Sequence, residues 1–599
     1  MEAHQLIFTS CRCGIEGLEG QQIYSHDKDF PREETDIYNA MLNYRHPQLP
    51  SGIQESEETA GKMPCTFRYK RENGRQWLSC STYLGRDYMG DKGRFGNFLT
   101  HVVCIDKGAL PELPCNYVES PSFRRMMTAE ETNCPTPPEL LPLLSLETTD
   151  LRSDVLNFLQ QDGRADDFKK LLAFFLSSDR RISIQDTPEN ILRWIAALEY
   201  VLPHSMAAEV SFSTYEYDPE DTDYQIVGQV ILDESRTATS SYHYTLFDFQ
   251  HGRLPEVEAK LDPDFEALLD LALMYSFGCM DSFGEFVDKY CVKKIKPVQL
   301  YTLYKVFQFY QNGRENLSVR EMQDILHFMR EYFPSQIYEQ VLASILADVD
   351  EHPMPQQDSI AFLQFLLAEW QDMTAAGQKN CCRIIELLWS RDECKLSAYS
   401  IEHLRQAYHL MVVYDRRKTA GEMMQVALYQ LDKPEEAIEL IADFWKICLH
   451  NRDDMREYAV DMLTALHTQF PAEKKVREYI LELACTNHIT FFAADEMTQK
   501  QQVVFWCEWL KMLTAEKVAN IEYISQVLVL MAASIDIETA KELKKSFRRL
   551  AKKWPQVVPQ VEQNISKDKE TTEVWTILYD GLKSKSVLAN ICSIFKRRP

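Results

Sequence analysis

The hydrophobic and polar positions divide the chain into two parts with different periods. Before residue 259, short alternating runs typical of strands are mixed with helical segments. From 259 onward, apolar residues recur almost throughout at i, i+3, i+4 and i+7, which is typical of amphipathic helices. The pattern predicts a multidomain α+β part followed by an all-α part. We expect small α+β domains at 1–145 and 146–258, then a long, α-solenoid-like helical array at 259–599.

The first predicted domain begins with a short strand and contains a hairpin. Asn73-Gly74 separates two alternating runs, and this dipeptide suits the positive φ angles of a type I′ turn. Residues 111–142 contain seven prolines, which predicts an extended connector because proline lacks an amide donor. The predicted elements are a strand at His4–Ser10, a helix at Glu33–Tyr44, hairpin strands at Cys65–Arg71 and Gln76–Tyr83, and a strand at Phe98–Ile105.

The second predicted domain places helices before strands. Thr187 is a suitable N-cap, and Pro188 fits the first helical turn. The predicted helices are Arg152–Gln160, Ala165–Leu176 and Pro188–Tyr200, and the predicted strands are Glu209–Tyr217, Tyr224–Leu232 and Tyr242–Phe249. Beyond residue 259 there are only six glycines and no strict repeat period, so the helical array has no named repeat.

A block of glycines stands out in the first domain. Glycines 85, 90, 93 and 96 fall within twelve residues of a chain with only twenty, and a strand follows them. Such a block indicates a tight turn or a close backbone approach. It is not a P-loop, because no Gly-Lys-Ser/Thr closes it and no helix obviously follows. It is not a dinucleotide-binding fingerprint either, because the spacing of its glycines differs and a strand follows them. The candidate ligand or interaction residues are Gly93, Arg94, Gly96, Asn97 and His101.

Two hypotheses remain open for this block. It could be a structural turn that presents a strand, or its amides and side chains could bind an anion. His101 could act as a base only with an orienting carboxylate and a nucleophile, which the sequence does not place. No hydrolase, kinase or Walker signature is present, so the sequence predicts no catalytic residue.

Charge is distributed unevenly along the chain. The net charge is −25, and residues 146–539 carry 36 basic and 64 acidic side chains, whereas residues 540–599 carry 14 and 6. The acidic body, residues 146–539, disfavours binding of nucleic acid and of anionic membranes. The tail, residues 540–599, is basic and has the opposite preference. One predicted helix, Lys541–Trp554, has seven cations on one face. They form a candidate docking strip: Lys541, Lys544, Lys545, Arg548, Arg549, Lys552 and Lys553.

The strip has several possible roles. It could be the solvated back of a packed helix, a docking site for an acidic partner, or less readily a site for nucleic acid. The acidic body of the same chain is a further possible partner.

The sixteen cysteines are scattered without the spacing of a zinc site, and no signal-peptide pattern or long apolar run is present. We therefore expect a cytoplasmic protein with reduced thiols, no metal, no cofactor and no membrane span.

The passage GRFGNFLTHVV (Gly93–Val103), with the strand His4–Ser10 and the loop Cys11–Gly20, resembles the N-terminal type 2 domain of the bacterial GTPase-associated protein 1 family. Leu202–Tyr215 and Tyr224–Gly228 are similar to the middle domain of that family. The helical remainder resembles its C-terminal region in helical character alone.

This resemblance implies an adaptor or regulator of a bacterial conflict (defence) system, encoded with a GTPase and binding that GTPase or an effector. The family supplies no catalytic residue to carry over. The alternatives from other classes are a hydrolase or nucleotide-binding enzyme centred on Arg94, Asn97 and His101, and a helical scaffold that docks nucleic acid through the basic helix. The oligomeric state is open.

Overall fold

The computed structural model describes residues 2–106, 110–161, 163–233, 241–313, 317–352, 354–391, 399–451, 456–490, 498–516 and 520–580. The chain divides into two compact units. The first comprises residues 1–315 and 325–337, and the second comprises residues 316–324 and 338–599. Strands occur in the first unit and helices follow, so the predicted change from α+β to all-α is confirmed.

The strands of the first unit form one mixed sheet of ten strands. They are β1 Glu2–Cys11, β2 Gly20–His26, β3 Thr66–Glu72, β4 Arg75–Arg86, β5 Phe95–Ile105, β6 Leu144–Ser145, β7 Arg181–Gln185, β8 Phe212–Ser213, β9 Ile226–Gln229 and β10 Tyr244–Asp248. Their order is β10-β7-β9-β8-β3-β4-β5-β1-β2, and β6 pairs with β1. Strands of the predicted first domain pair antiparallel, whereas β7 pairs in parallel with β9 and β10.

The two predicted α+β domains share this sheet, because β3 pairs antiparallel with β8. The predicted hairpin is present, with Asn73 at φ 52° and Gly74 at φ 76°, both positive as a type I′ turn requires. The predicted boundary between residues 145 and 146 stays a prediction about independent folding.

Four strands differ from the sequence prediction, and one of them is the two-residue β6, which was not predicted. β2 and β7 were not predicted, since Gln21 and Gln22 dilute the apolar pattern of β2 and β7 has only five residues. The predicted strand Glu209–Tyr217 reduces to β8, because the segment after Ser213 leaves the regular ladder while still bonding two neighbours. The amide of Thr214 donates to the carbonyl of Phe67, and the amide of Glu216 donates to that of Gly228.

Each face of the sheet is covered by a different segment. The helix α1, Thr35–Leu42, packs on the face that carries Trp77, Val102 and Cys104. The opposite face carries Ile7 and Leu99, and side chains of the proline-rich segment pack on it, among them Met127 and Leu141. The first helices are α1 Thr35–Leu42, α2 Glu57–Ala60, α3 Ala129–Thr132, α4 Arg152–Leu159, α5 Arg164–Ser177, α6 Pro188–Tyr200 and α7 His204–Ala207.

Helices alone follow β10 in the described part of the chain. They are α8 Pro263–Met274, α9 Gly278–Tyr290, α10 Leu300–Asn312, α11 Val319–Tyr332, α12 Ser335–Glu351, α13 Gln356–Glu369, α14 Ala375–Arg391, α15 Ile401–Val413, α16 Arg417–Tyr429, α17 Pro434–Asn451, α18 Arg456–Gln469, α19 Lys474–Thr486, α20 Gln499–Ala515, α21 Ile521–Ser534, α22 Ile537–Lys553, α23 Val557–Asn564 and α24 Lys569–Tyr579.

Within the second unit, packing is between helices that are close in sequence. α15 packs on α16 and α17, α16 on α18, α20 on α22, and α22 on α24. Contacts of this kind are typical of an array of stacked helical hairpins. None of the helices in the described residues combines the length and the apolar character needed to cross a bilayer.

Candidate functional site

The glycine block spans the end of β4, the loop at 87–94 and the start of β5. The amide of Asp87 donates to the carbonyl of Arg94 at 3.0 Å, and a short 3₁₀ turn at Gly90–Lys92 closes the tip. The Asp87 carboxylate accepts hydrogen bonds from the amides of Met89 and Arg94, at 2.9 and 3.2 Å. Asp87 therefore uses both carboxylate oxygens to hold the loop.

Gly93 and Gly96 are constrained in different ways. Gly96 has φ 113°, a left-handed conformation that side chains with a Cβ rarely adopt. Gly93 has φ −78°, but a Cβ there would overlap Asp87 Oδ1 and come within 3.0 Å of the Gly90 carbonyl oxygen. The amide of Gly96 donates to the hydroxyl of Tyr83 at 3.1 Å, which anchors the loop to β4.

Asn97 is buried and used for structure. Its side-chain oxygen accepts from the amide of Ser10 at 3.3 Å, and its side-chain nitrogen donates to the carbonyl of Arg86 at 3.0 Å. These two bonds tie the start of β5 to β1 and to β4. The amide group of Asn97 is thus occupied on both sides.

His101 lies on β5 with only 1% of its surface exposed. Its Nδ1 accepts from the amide of Arg124 at 2.9 Å, so Nε2 carries the proton and donates to Gln5 Oε1 at 3.0 Å. Burial, assisted by the positive charge of Arg124, lowers the pKa of His101 to about 3. The ring is therefore neutral, and Phe123 packs edge-on against it at 5.5 Å between centroids.

Arg94, Asn97 and His101 do not share a pocket. Arg94 is exposed at the loop, while His101 is buried seven residues further along the chain, roughly 20 Å away at the rise of an extended strand. An open depression of about 700 Å³ borders the loop through Phe95, with His46 and Glu55 on its other side. None of the three candidates lines it. A ligand role for the exposed loop tip stays a prediction.

The predicted basic helix is present as α22. Its buried side includes Leu543, Phe547 and Leu550, and Phe547 meets Trp575 of α24 edge-on at 5.2 Å between centroids. Asp536 caps the first turn by accepting from the amide of Thr539 at 2.8 Å. Five of the seven cations are exposed, whereas Lys544 and Arg548 are half-buried.

The seven cations fall into groups with different surroundings. Lys544 is 3.5 Å from the Asp580 carboxylate, and Lys553 donates to the backbone carbonyls of Thr514 and Glu516 at the end of α20. Lys541 pairs with Glu538 one turn earlier. Arg548 is half-buried. The other three are exposed and make no ion pair within the described residues: Lys545, Arg549 and Lys552. We call these three residues the open cations.

One buried acid was missed by the sequence analysis. Glu199 of α6 is fully buried, and its Oε2 accepts from the amide of Cys115 at 2.7 Å, while Oε1 has no hydrogen-bond partner. Burial raises the pKa of Glu199 to about 8, so the side chain is protonated at neutral pH. The burial of Glu199 could have been predicted from its position on the apolar side of the predicted helix Pro188–Tyr200. In the described residues, no group of three or more metal-ligating side chains is assembled.

Two family models match the part of the chain that contains the sheet. Residues 2–142 match GTPase-associated protein 1, N-terminal domain type 2, and residues 155–251 match GTPase-associated protein 1, middle domain. These matches confirm the resemblance predicted from sequence, with the two domains in the expected order. The helical remainder lies outside the matched residues. No curated protein and no solved structure matches the chain.

Proposed function

We propose that this protein is a non-enzymatic adaptor that binds a GTPase in a bacterial conflict system, with an effector as a further partner. The two GTPase-associated protein 1 domains support the GTPase as partner. The adaptor acts in the cytoplasm, where such a GTPase would be met.

The observation that carries this proposal is the row of open cations on α22. Lys545 and Arg549 are four residues apart, and Lys552 is three further on, so all three lie on neighbouring turns of one side. They stand on a chain whose net charge is −25. A local positive surface on an acidic protein steers and orients an acidic partner while like charges elsewhere repel misplaced ones.

The hydrolase alternative gains no support from the glycine block. It requires His101 to act as a base in a pocket shared with Arg94 and Asn97. The buried ring of His101 is neutral, and both its nitrogens are occupied by Gln5 and the amide of Arg124. An adaptor requires no such pocket.

The test is a binding measurement with the purified full-length chain and the GTPase encoded beside it. The GTPase is loaded with GDP or with a non-hydrolysable GTP analogue, and affinity is measured at low and at physiological salt. We expect binding that weakens with salt, because exposed charges are screened beyond a Debye length of about 8 Å at physiological ionic strength. No binding in either nucleotide state contradicts the proposal.

A charge-reversal variant locates the surface. Lys545→Glu, Arg549→Glu and Lys552→Glu together should weaken GTPase binding by at least tenfold, as expected when a complementary patch changes sign. The matched control changes charge by the same amount at exposed lysines elsewhere in the second unit: Lys379→Glu, Lys418→Glu and Lys500→Glu. Equal loss in both variants would assign the effect to net charge. Binding of an oligonucleotide that depends on the open cations would favour the nucleic-acid scaffold instead.

A further inference from the structure

Two cysteines meet beside the hairpin of the first unit. Cys65 directly precedes β3 and Cys80 lies within β4, and their sulfur atoms are 3.4 Å apart. The ladder pairs Phe67 with Cys80 and Thr66 with Ser81, so Cys65 and Cys80 lie diagonally across the two strands. Both are free thiols. Diagonal neighbours of this kind share one face of a sheet and are about 7–8 Å apart, and the sulfur contact shows that these two side chains point toward each other.

The two thiols differ in exposure and in charge preference. Cys65 is partly exposed, while Cys80 is fully buried. The pKa of the Cys65 thiol is lowered, first by its hydrogen bond with the Cys80 thiol and further by the positive charge of Arg125 and by the Thr82 hydroxyl, 3.7 Å away. The same interaction and burial raise the pKa of the Cys80 thiol. Cys65 is therefore the thiol of the pair that ionises more readily, and it is also the more exposed of the two.

We propose that Cys65 and Cys80 are a redox modification site that forms a reversible disulfide on exposure to a peroxide. A partly exposed thiolate with a second thiol beside it is the arrangement that peroxide-sensitive sites use. The proposal is independent of the GTPase partner and of the open cations on α22.

The chemistry balances in two steps. The Cys65 thiolate attacks one oxygen of hydrogen peroxide, breaks the O–O bond, and becomes a sulfenic acid as hydroxide leaves and takes up a proton to give water. The Cys80 sulfur then attacks the Cys65 sulfur, its proton leaves with the displaced hydroxyl as a second water, and the S–S bond forms. Two thiols and one peroxide give one disulfide and two waters. A dithiol reductant returns both thiols by exchange.

The movement needed is small. A disulfide has sulfur atoms about 2.05 Å apart, so the present separation must close by roughly 1.4 Å. Cys65 stands just outside the bounds of β3, where a small backbone shift breaks no bond of the β3 ladder. Rotation of its side chain and a shift of residue 65 can together bring the two atoms to bonding distance. The bond would then link the two strands of the Asn73-Gly74 hairpin.

Other adjacent cysteines in the described residues lack these features. Cys11 is buried, and burial raises the pKa of its thiol to about 11. Cys381 and Cys382 are both fully buried, and burial raises the pKa of each thiol. Thiols that stay protonated and inaccessible react slowly with peroxides. The proposal therefore predicts selectivity for one pair.

The experiment treats the folded wild-type chain with one equivalent of hydrogen peroxide, quenches it, and blocks the remaining thiols before digestion. Intact mass should fall by two hydrogens, and peptide mapping should find Cys65 joined to Cys80. Dithiothreitol should restore the original mass. No disulfide, or a disulfide between other cysteines, overturns the proposal without requiring any variant to fold.

Two variants separate the roles of the sulfurs. In Cys80→Ser, the Cys65 sulfenic acid has no thiol to condense with and should be trapped by dimedone. In Cys65→Ser, Cys80 should show no dimedone adduct. Cys279→Ser is the control, since Cys279 is also partly exposed but has no thiol partner among the described residues, and it should leave the disulfide yield unchanged. Dimedone labelling of Cys80 in place of Cys65 contradicts the assigned roles.

Discussion

The guanidinium of Arg68 on β3 and the carboxylate of Glu216, just after β8, form a bidentate pair in the interior of the first unit. Nη2 of Arg68 donates to Oε2 at 3.0 Å, Nε donates to Oε1, and the side chains are 3% and 10% exposed. Ser213 and Ser81 add hydrogen bonds to the carboxylate and the guanidinium. The pair joins the segment matched by the N-terminal type 2 domain to the segment matched by the middle domain.

Glu216→Ala should destabilise the first unit by about 3–5 kcal/mol, because it leaves the buried positive charge of Arg68 without its counter-ion. Urea unfolding followed by tryptophan fluorescence measures the change, since Trp77 and Trp194 are buried in this unit. The matched control is Asp223→Ala, which removes the exposed partner of Lys70. An exposed pair contributes about 0.2–1 kcal/mol. Equal small effects would show that the buried pair is not an anchor.

Glu199 predicts a pH dependence of stability. Its pKa is raised to about 8 in the folded chain, whereas an unfolded glutamate ionises near 4.3. Between these values the folded state holds a proton that the unfolded state has lost, so this contribution to stability declines as pH rises through the window. Glu199→Gln keeps the shape and removes the titration. Between these two pKa values, the free energy of unfolding of the variant should rise relative to that of the wild type by up to about 1.4 kcal/mol per pH unit.

Unfolding free energies of both proteins at pH 5, 6, 7, 8 and 9 test this prediction. The difference should rise with pH and level off above about 8, where Glu199 is ionised in both states. A difference that does not change with pH would show that Glu199 is solvated or paired in the folded chain.

His101→Ala should lower the stability of the chain more than it lowers any activity that can be measured separately from folding. It removes a buried ring and its bonds to Gln5 and Arg124, at a cost of about 2–4 kcal/mol. Its folded pKa of about 3 lies below the unfolded value near 6.5, so its contribution is lost as pH falls through that window. The advantage of the wild type should therefore shrink below about pH 6.5. His243→Ala, at an exposed position, is the control.

A stable His101→Ala protein that loses all function would instead support the enzyme or ligand-site hypothesis. The comparison needs both an unfolding curve and the GTPase-binding assay on the same preparation. Under the adaptor proposal, whatever binding is lost should follow the loss of folded protein.

Gly93→Val and Gly96→Val should each destabilise the chain by about 1–3 kcal/mol, for different reasons. Valine at Gly96 must adopt φ near 113°, and valine at Gly93 must displace Asp87 from the loop amides that it binds. Gly61→Ala is the control, because Gly61 has φ −66° and a Cβ there meets no atom closer than 3.7 Å. Thermal melts measure all three. Unchanged melting in both valine variants would remove the special status of the loop.

Sequence patterns predicted elements whose signals are local. The helix Pro188–Tyr200 has its predicted bounds, because Thr187 and Pro188 define its start, and Asn73-Gly74 set the hairpin and its register. Relations between distant residues carried no such signal. Arg68 and Glu216 are 148 positions apart, and nothing in either segment indicates that β3 pairs with β8.

In the candidate site, too, local features could be predicted from the sequence and contacts between distant residues could not. The cationic side of α22 could be predicted from helical spacing alone, whereas the burial of His101 depends on Phe123 and Arg124 in a proline-rich segment with no periodic pattern. The nearness of Cys65 and Cys80 was available from the hairpin register, since a turn at 73–74 places residue 65 opposite residue 82. The contact between Cys65 and Cys80 follows from the strand pairing, because the spacing of the cysteines along the sequence does not indicate it.

The structure separates the predicted docking strip into cations that stabilise the helical unit and cations that do not. Lys544 and Lys553 join α22 to Asp580 and to the end of α20, so Lys544→Gln with Lys553→Gln should lower the melting temperature of the second unit. The open cations repel one another at helical spacing, a cost of a few tenths of a kcal/mol per pair. Lys545→Gln, Arg549→Gln and Lys552→Gln together should leave the melt unchanged or raise it slightly. Calorimetry distinguishes the two sets by the direction of the shift in melting temperature, and both shifts should become smaller at high salt because of screening. A lowered melt in the triple variant would mean that the open cations contact the acidic residues of their own chain, and the docking proposal for α22 would then be withdrawn.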